Sequence, residues 1–239
     1  MIQMFLNISY FLYINFLILI IFCIFVVSNK KTMEQYSKFK YIFPPRPEYC
    51  ISSKELYKYE SDHLIQCKLN GSCCVVFIKG KEFRYFGRHQ NENLSNFKLK
   101  ISDLEIFKND EWNVIVGEYM NKNKNGLDGR PWNHKLVIFD ILVHNGEYLL
   151  GSTFEERVLL MDELFGTVEE NEYLYKLNNN VFRVKTFYDN FLERWNEIVK
   201  IDMLEGVVLK KRDQKLTKAF SEKNNLSHKC RKETKLYKF

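Results

Sequence analysis

A chain of 239 residues that is 46% hydrophobic and 15% aromatic has enough apolar side chain for one large domain or two small ones, which excludes disorder of the whole chain. The formal charge of +6 is uneven: Lys210 to Phe239 holds eleven Lys or Arg against three acids, whereas Glu155 to Glu172 holds seven acids against Arg157. Clustered cations concentrate phosphates around them, so the basic end is expected either to face a polyanion or to be a solvated surface.

The first segment, Met4 to Val27, carries no charge and is dominated by Phe, Ile and Leu. Its 24 residues are enough to cross a bilayer, and Lys30 and Lys31 behind it would keep the rest of the chain on the cytoplasmic side. Residues 1–32 are therefore expected to be a membrane anchor or, since Met33 opens ordinary polar sequence, a mis-assigned start. Residues 33–239 are expected to form one cytoplasmic domain.

The motif FPPRPEY is expected to be extended, because its prolines exclude a helix. Ser52 can cap a short helix in SSKELYKYES, with Glu55 in the capping-box position. The stretches HLIQCKL, SCCVVFI and EFRYFG, with Asn70-Gly71 between the first two, predict an antiparallel meander. WNVIVGEYM and KLVIFDILV read as strands on either side of a polar loop, in which KNGLDGR is a surface turn. STFEERVLLMDELFG is the clearest helix: Thr153 or Ser152 caps it, and acids fill its first turn. Apolar residues recur at Val158, Leu159, Met161 and Leu164, and Gly166 ends it. VFRVKTFYD predicts a strand, NFLERWNEIVKI a helix, and EGVVLKKR a last short strand before a basic tail. Strands with interspersed helices, without regular alternation, make the class α+β with antiparallel sheets.

None of the six cysteines forms a C-x-x-C, and no cysteine pair is matched by histidines at zinc-finger spacing. Cys73 and Cys74 are adjacent, so a strand would send them to opposite faces. The cysteines are expected to be small packing residues in a reducing compartment.

Lys68, in Lys68-Leu69-Asn70-Gly71, stands at a strand end beside a turn. A lysine directed into a cleft between apolar strands loses hydration, its ammonium pKa falls and the neutral amine becomes a nucleophile. By itself the pattern is that of a solvated lysine beside a common hairpin turn. Further along the chain stand Glu118 in VGEY, Phe139 and Asp140 in FDIL, Glu205 and Lys210 in EGVVLK, and the cations of HKCRK. In this order, from about residue 35 to the C-terminus, these stretches resemble the nucleotidyltransferase motifs of ATP-dependent DNA ligases, RNA ligases and mRNA capping enzymes. FDILVHNGEYLLGSTFEERVLLMDELF is most similar to the DNA ligase pattern, with Gly146 as its turn glycine and Arg157 on the helix that follows. Asn70 stands where the family has an aspartate, Cys73 near where DNA ligases carry an arginine, and NNLSH where an aromatic precedes the last motif.

The resemblance implies two antiparallel sheets flanked by helices around a nucleotide cleft, of ATP-grasp-like build. It implies an ATP-dependent polynucleotide ligase in which Lys68 carries AMP and nicked DNA, or nicked RNA, is sealed. Lys68, Lys229 and Arg231 are the implied catalytic residues, and Gln66, Arg88, Glu118, Phe139 and Lys210 the implied nucleotide-binding ones. Glu205 is the implied ligand of Mg²⁺ or Mn²⁺. Phe139 offers a flat face to adenine, Gln66 an amide to its edge, and the cations neutralise phosphate charge. A second, OB-type domain is not expected within the chain, so the catalytic domain would act alone, a partner protein would supply the clamp, or the gene is truncated. The other readings are an RNA ligase or a capping guanylyltransferase of the same fold, and a membrane-tethered, non-catalytic nucleic-acid-binding module.

Overall fold

The computed structural model describes residues 46–87, 97–107, 109–120, 125–126, 129–217 and 223–233. The segment Met4 to Val27 and Arg88 lie outside the described residues. In chain order the elements are β1 (Arg46–Cys50), a 3-10 helix η1 (Ser53–Tyr59), β2 (His63–Leu69), β3 (Ser72–Lys79), β4 (Glu82–Gly87), α1 (Ile101–Leu104), β5 (Asn113–Met120), β6 (Lys135–His144), β7 (Glu147–Tyr148), α2 (Phe154–Phe165), β8 (Leu174–Lys176), β9 (Val181–Val184), β10 (Thr186–Phe187), α3 (Phe191–Ile198), β11 (Leu204–Lys211) and β12 (Lys223–Arg231).

The strands form two sheets. One has the order β1-β12-β11-β2-β10, the other β4-β3-β5-β6-β9-β8 with β7 beside β6. The α+β class with two sheets agrees with expectation. Each sheet is antiparallel except for one pair: β1 runs parallel to β12 and β6 parallel to β9. The expected basic tail is in part β12, a full member of the first sheet between β1 and β11. The expected single strand VFRVKTFYD is two strands, β9 and β10, in different sheets. The chain changes sheets after Lys185, whose N–H still donates to the Tyr173 carbonyl at 2.8 Å, one step beyond the Leu174–Val184 pair.

Period-two alternation decides what each face of β2 meets. Ile65, Cys67 and Leu69 join Val207, Leu209 and Cys230 in a core closed by Leu56 of η1 and by Phe191, Trp195 and Ile198 of α3; Val137, Phe182 and Val184 of the second sheet reach the same cluster. The opposite face of β2 carries Gln66 and Lys68. A second core packs Cys74, Val76, Ile78, Ile115, Ile138 and Ile141 against Leu104 of α1 and Phe154, Val158 and Met161 of α2.

The helix ends are as expected. Thr153 Oγ1 accepts from the Glu156 N–H at 3.2 Å, Glu156 accepts from the Thr153 N–H at 2.7 Å, and Gly166 closes α2 with φ +69°. Ser52 and Glu55 form the same box on η1. Leu159 departs from the expected apolar face: it is 56% exposed. Cys67, Cys74 and Cys230 are buried free thiols, and burial pushes Cys67 up to about 12, which makes it a packing group rather than a nucleophile. Among the described residues no group of His, Cys, Asp and Glu forms a metal cluster, and no helix is long and apolar enough to cross a membrane.

Candidate active site

The register of the first sheet lines up the expected residues on one face. Lys68 of β2, Gly206 of β11 and Arg231 of β12 lie side by side, and Gln66, Val208 and Lys229 form the next row. Glu205 enters this row through a β-bulge. Leu204 pairs with Leu69 and Gly206 with Lys68, so one step along β2 spans two along β11 and Glu205 is the extra residue. The bulge directs its carboxylate to Lys68 Nζ, with which it forms an ion pair, and to Arg231 Nη2 at 3.0 Å. Burial pushes the Glu205 carboxyl up, but Lys68 and Arg231 outweigh it and hold it below the ordinary carboxylate range. Lys68 thus faces a carboxylate rather than the apolar wall expected of it, and Glu205 is the group that orients its amine.

Gly206 is required here for two reasons. Its φ is +139°, and a Cβ would lie 2.1 Å from the Cys230 carbonyl oxygen and 2.9 Å from the Trp195 ring. Gly71 is required by closeness alone: a Cβ would stand 2.5 Å from the Tyr119 carbonyl oxygen. Its N–H donates to Glu118 Oε1 at 3.0 Å, so Glu118 ties the turn after Lys68 to β5. Asn70 makes no side-chain hydrogen bond among the described residues.

The facing sheet supplies Phe139 at the middle of β6. Its carbonyl accepts from Lys210 Nζ at 3.3 Å and from Gln66 Nε2 at 3.4 Å, which joins the two sheets. Lys210 is buried, 5.0 Å from the centroid of the Phe139 ring and 4.3 Å from that of Phe154. Burial lowers its ammonium to about 8, against the pull of Asp140 3.8 Å away. Asp140 is itself buried and takes a two-pronged contact from Arg157, Nε to Oδ1 at 2.8 Å and Nη2 to Oδ2 at 3.2 Å. Although burial raises it, Arg157 and Lys210 together hold the Asp140 carboxyl below its ordinary value.

Of the sequence-expected residues, Gln66, Lys68, Glu205, Lys210, Lys229 and Arg231 share one sheet, Glu118 and Phe139 belong to the other, and Arg88 lies outside the described residues. The structure adds three features. Arg157 holds Asp140 in place beneath Lys210, Thr186 accepts from Gln66 Nε2 at 3.0 Å, and a bulge presents Glu205. An arginine on the side of α2 that carries Phe154, Val158 and Met161 is a sequence signal for a buried acidic partner; neither the bulge nor the Thr186 contact has a local signal.

The residues fit a hard divalent cation bound with phosphates. Such an ion takes one or two carboxylates and completes its shell from phosphate and water. Glu205 Oε2 carries both cation contacts, leaving Oε1 without a hydrogen bond among the described residues.

This two-sheet arrangement matches solved structures. The ligase domain of LigD from M. tuberculosis superposes with a TM-score of 0.59 at 16% identity, covering 79% of this chain and 60% of that one. Mycobacterial DNA ligase D complexed with ATP and MES gives 0.56 at 15% identity, covering 81% and 62%. This is the fold of a DNA-ligase nucleotidyltransferase domain. A third ligase-fold match, named Pmar-Lig_PreS3, gives a TM-score of 0.50 at 18% identity over 84% of this chain and 49% of that one. The chain spans about three-fifths of the first two structures. In sequence, no family model and no curated protein matches it. Lys68 stands near the end of β2, an interior strand of the first sheet between β11 and β10.

Proposed function

We propose that the chain is an ATP-dependent polynucleotide ligase acting on nicked DNA, with Lys68 as the residue that carries AMP. The observation that carries this reading is the row Lys68, Glu205 and Arg231 on three neighbouring strands, with Gln66, Lys210 and Lys229 on the same sheet face. A lone strand-end lysine does not need such surroundings; a lysine that must meet a polyphosphate does.

In this reading Lys68 Nζ forms a bond to the α-phosphorus of ATP while the bond to pyrophosphate breaks and a proton leaves the amine. The AMP then passes to a 5′-phosphate and is displaced by a 3′-hydroxyl. Glu205 holds Nζ in place before attack. Lys210, Lys229 and Arg231 supply fixed positive charge where phosphate charge accumulates, which lowers the barrier without reorganisation during the step. Phe139 offers its ring to the base, and Glu118 stands beside the turn where a ribose hydroxyl can donate to it. Glu205, together with the phosphates, would hold a divalent ion, which would supply further charge neutralisation. The mycobacterial ligase structure that holds ATP is consistent with a nucleotide in this cleft.

The test is covalent labelling. Incubation with α-labelled ATP or GTP and a divalent ion, followed by denaturing electrophoresis, is expected to leave AMP on the wild-type chain and none on Lys68→Ala. Absence of label from both nucleotides at several metal concentrations would sink the enzymatic reading, and label from GTP alone would move it to a capping-type guanylyltransferase. Sealing of nicked DNA compared with nicked RNA then decides the polynucleotide.

A further inference from the structure

Gln66 and Thr186 are register partners on the neighbouring strands β2 and β10, on the face that carries Lys68 two residues further along. The direction of the Gln66 amide is set by a group with only one hydrogen-bonding role. The Phe139 carbonyl can accept but not donate, and it takes Gln66 Nε2 at 3.4 Å. The same nitrogen donates to Thr186 Oγ1 at 3.0 Å. Both donors of the amide are thereby directed at protein acceptors.

Two polar atoms are left over. The Gln66 carbonyl oxygen accepts no hydrogen bond among the described residues, although Gln66 is only 2% exposed. The Thr186 hydroxyl, already an acceptor, has its own hydrogen still to donate and no acceptor for it among the described residues. An unmet acceptor and an unmet donor, side by side on adjacent strands and on the same face as Lys68, form a two-pronged complement to a ligand edge that carries a donor beside an acceptor.

We propose that Thr186 is a specificity-determining residue of the nucleotide site, reading N1 of adenine with its hydroxyl while the Gln66 carbonyl oxygen accepts from the 6-amino group. This rests on the nucleotidyl-transfer reading above and extends it to the choice of base. A 6-oxopurine presents an acceptor at position 6 and a donor at N1, so both contacts would become like against like. A site built to hydrogen-bond one pattern rejects the reversed one strongly, because its own polar atoms are then buried unpaired.

The test measures initial rates of covalent labelling with ATP and with ITP, which reverses the two positions without adding a 2-amino group. The wild type is expected to favour ATP over ITP by roughly a hundredfold in kcat/KM, the scale of two mispaired buried polar contacts. Thr186→Val keeps the β-branched shape but removes the hydroxyl. It is expected to raise KM for ATP by about tenfold with kcat nearly unchanged, and to narrow the ATP:ITP ratio by a similar factor, the scale of one lost hydrogen bond. Thr186→Ser is expected to restore both. A folded Thr186→Val with wild-type KM and ratio overturns the role of Thr186 and leaves nucleotidyl transfer standing. Equal use of ATP and ITP by the wild type overturns the base reading without any variant. A wild type labelled by neither nucleotide overturns the transfer reading itself, and this inference with it.

Discussion

At the scale of single residues, the buried ionic group Arg157, Asp140 and Lys210 ties α2 and β11 to β6. Removing one member of such a group leaves a charge without its partner in a low-dielectric site, a loss of about 3–5 kcal/mol. Arg157→Leu is therefore expected to lower stability by about that amount, read as a fall in the urea midpoint with the slope unchanged. A midpoint within experimental error of wild type would show that Asp140 is held by other groups. If Lys210 meets the phosphates as proposed, it is expected to set a pH limit on nucleotide binding. Its ammonium is lowered to about 8, so raising the pH through that value removes a positive charge from the free site. ATP affinity is expected to fall about tenfold between pH 7 and pH 9.5, the scale of one lost phosphate contact at a buried cation. Lys210→Arg, whose guanidinium stays charged, should flatten the profile. Titration calorimetry at the two pH values checks this, and an unchanged wild-type affinity counts against a role for Lys210 at the phosphates. For stability the sign is opposite. The folded pKa lies below the ordinary 10.5, so the unfolded chain binds the extra proton between those values and this group's contribution rises with pH across that window.

At the scale of elements, β11 matters through an irregularity. Its bulge brings Glu205 to Lys68, and Gly206 is the residue that permits it. Gly206→Ala is expected to cost more than about 2 kcal/mol, because the added carbon meets the Cys230 carbonyl oxygen and the backbone sits at positive φ. Labelling of Lys68 should fall more steeply than the folded fraction does, since the strain lies between Glu205 and Arg231. A Gly206→Ala chain with wild-type labelling would show that the bulge is not needed for chemistry. Thr153→Ala, which removes the exposed cap of α2 and no group of the Lys68 row, is expected to cost only about 1 kcal/mol and to leave labelling of the folded protein intact. The caps of η1 and α2 were legible because capping is local: the participating groups lie within three residues of one another. Leu159 was misread as a core residue because periodicity shows which residues share a stripe, and not how wide a stripe the neighbouring sheet covers.

At the scale of the whole molecule, the surroundings of several histidines disfavour their charged form. Burial lowers both His144 and His228, and His63 adds to the effect at His228 while Asp62 opposes it. Groups whose folded pKa is depressed contribute stability that is fully present above the ordinary 6.5 and is lost as the pH falls toward their folded values, because the unfolded chain takes up the proton first. The urea midpoint is accordingly expected to drop between pH 7.5 and pH 5.5. The drop should shrink when His228, which packs against Tyr59 and His63, is replaced by Gln. A flat profile over that range would show that these rings titrate alike in both states.

By itself the sequence determined strands β2 to β6 and β11, the two capped helices and the order of the chemical residues along the chain. Each depends on side-chain period, capping pattern or short motif, which act within a few residues. It pointed to Lys68 only through the residues that follow it, since one lysine beside Asn70-Gly71 has the same local chemistry in a site or on a surface. Only the tertiary structure decided that the basic stretch around Lys229 is a strand beside β11, that VFRVKTFYD divides between two sheets, and that Glu205 reaches Lys68 through a bulge. The same is true of the Thr186 contact to Gln66, made by residues 120 positions apart. Register between distant strands depends on the packing of both sheets at once, and no window of sequence contains the partners that set it.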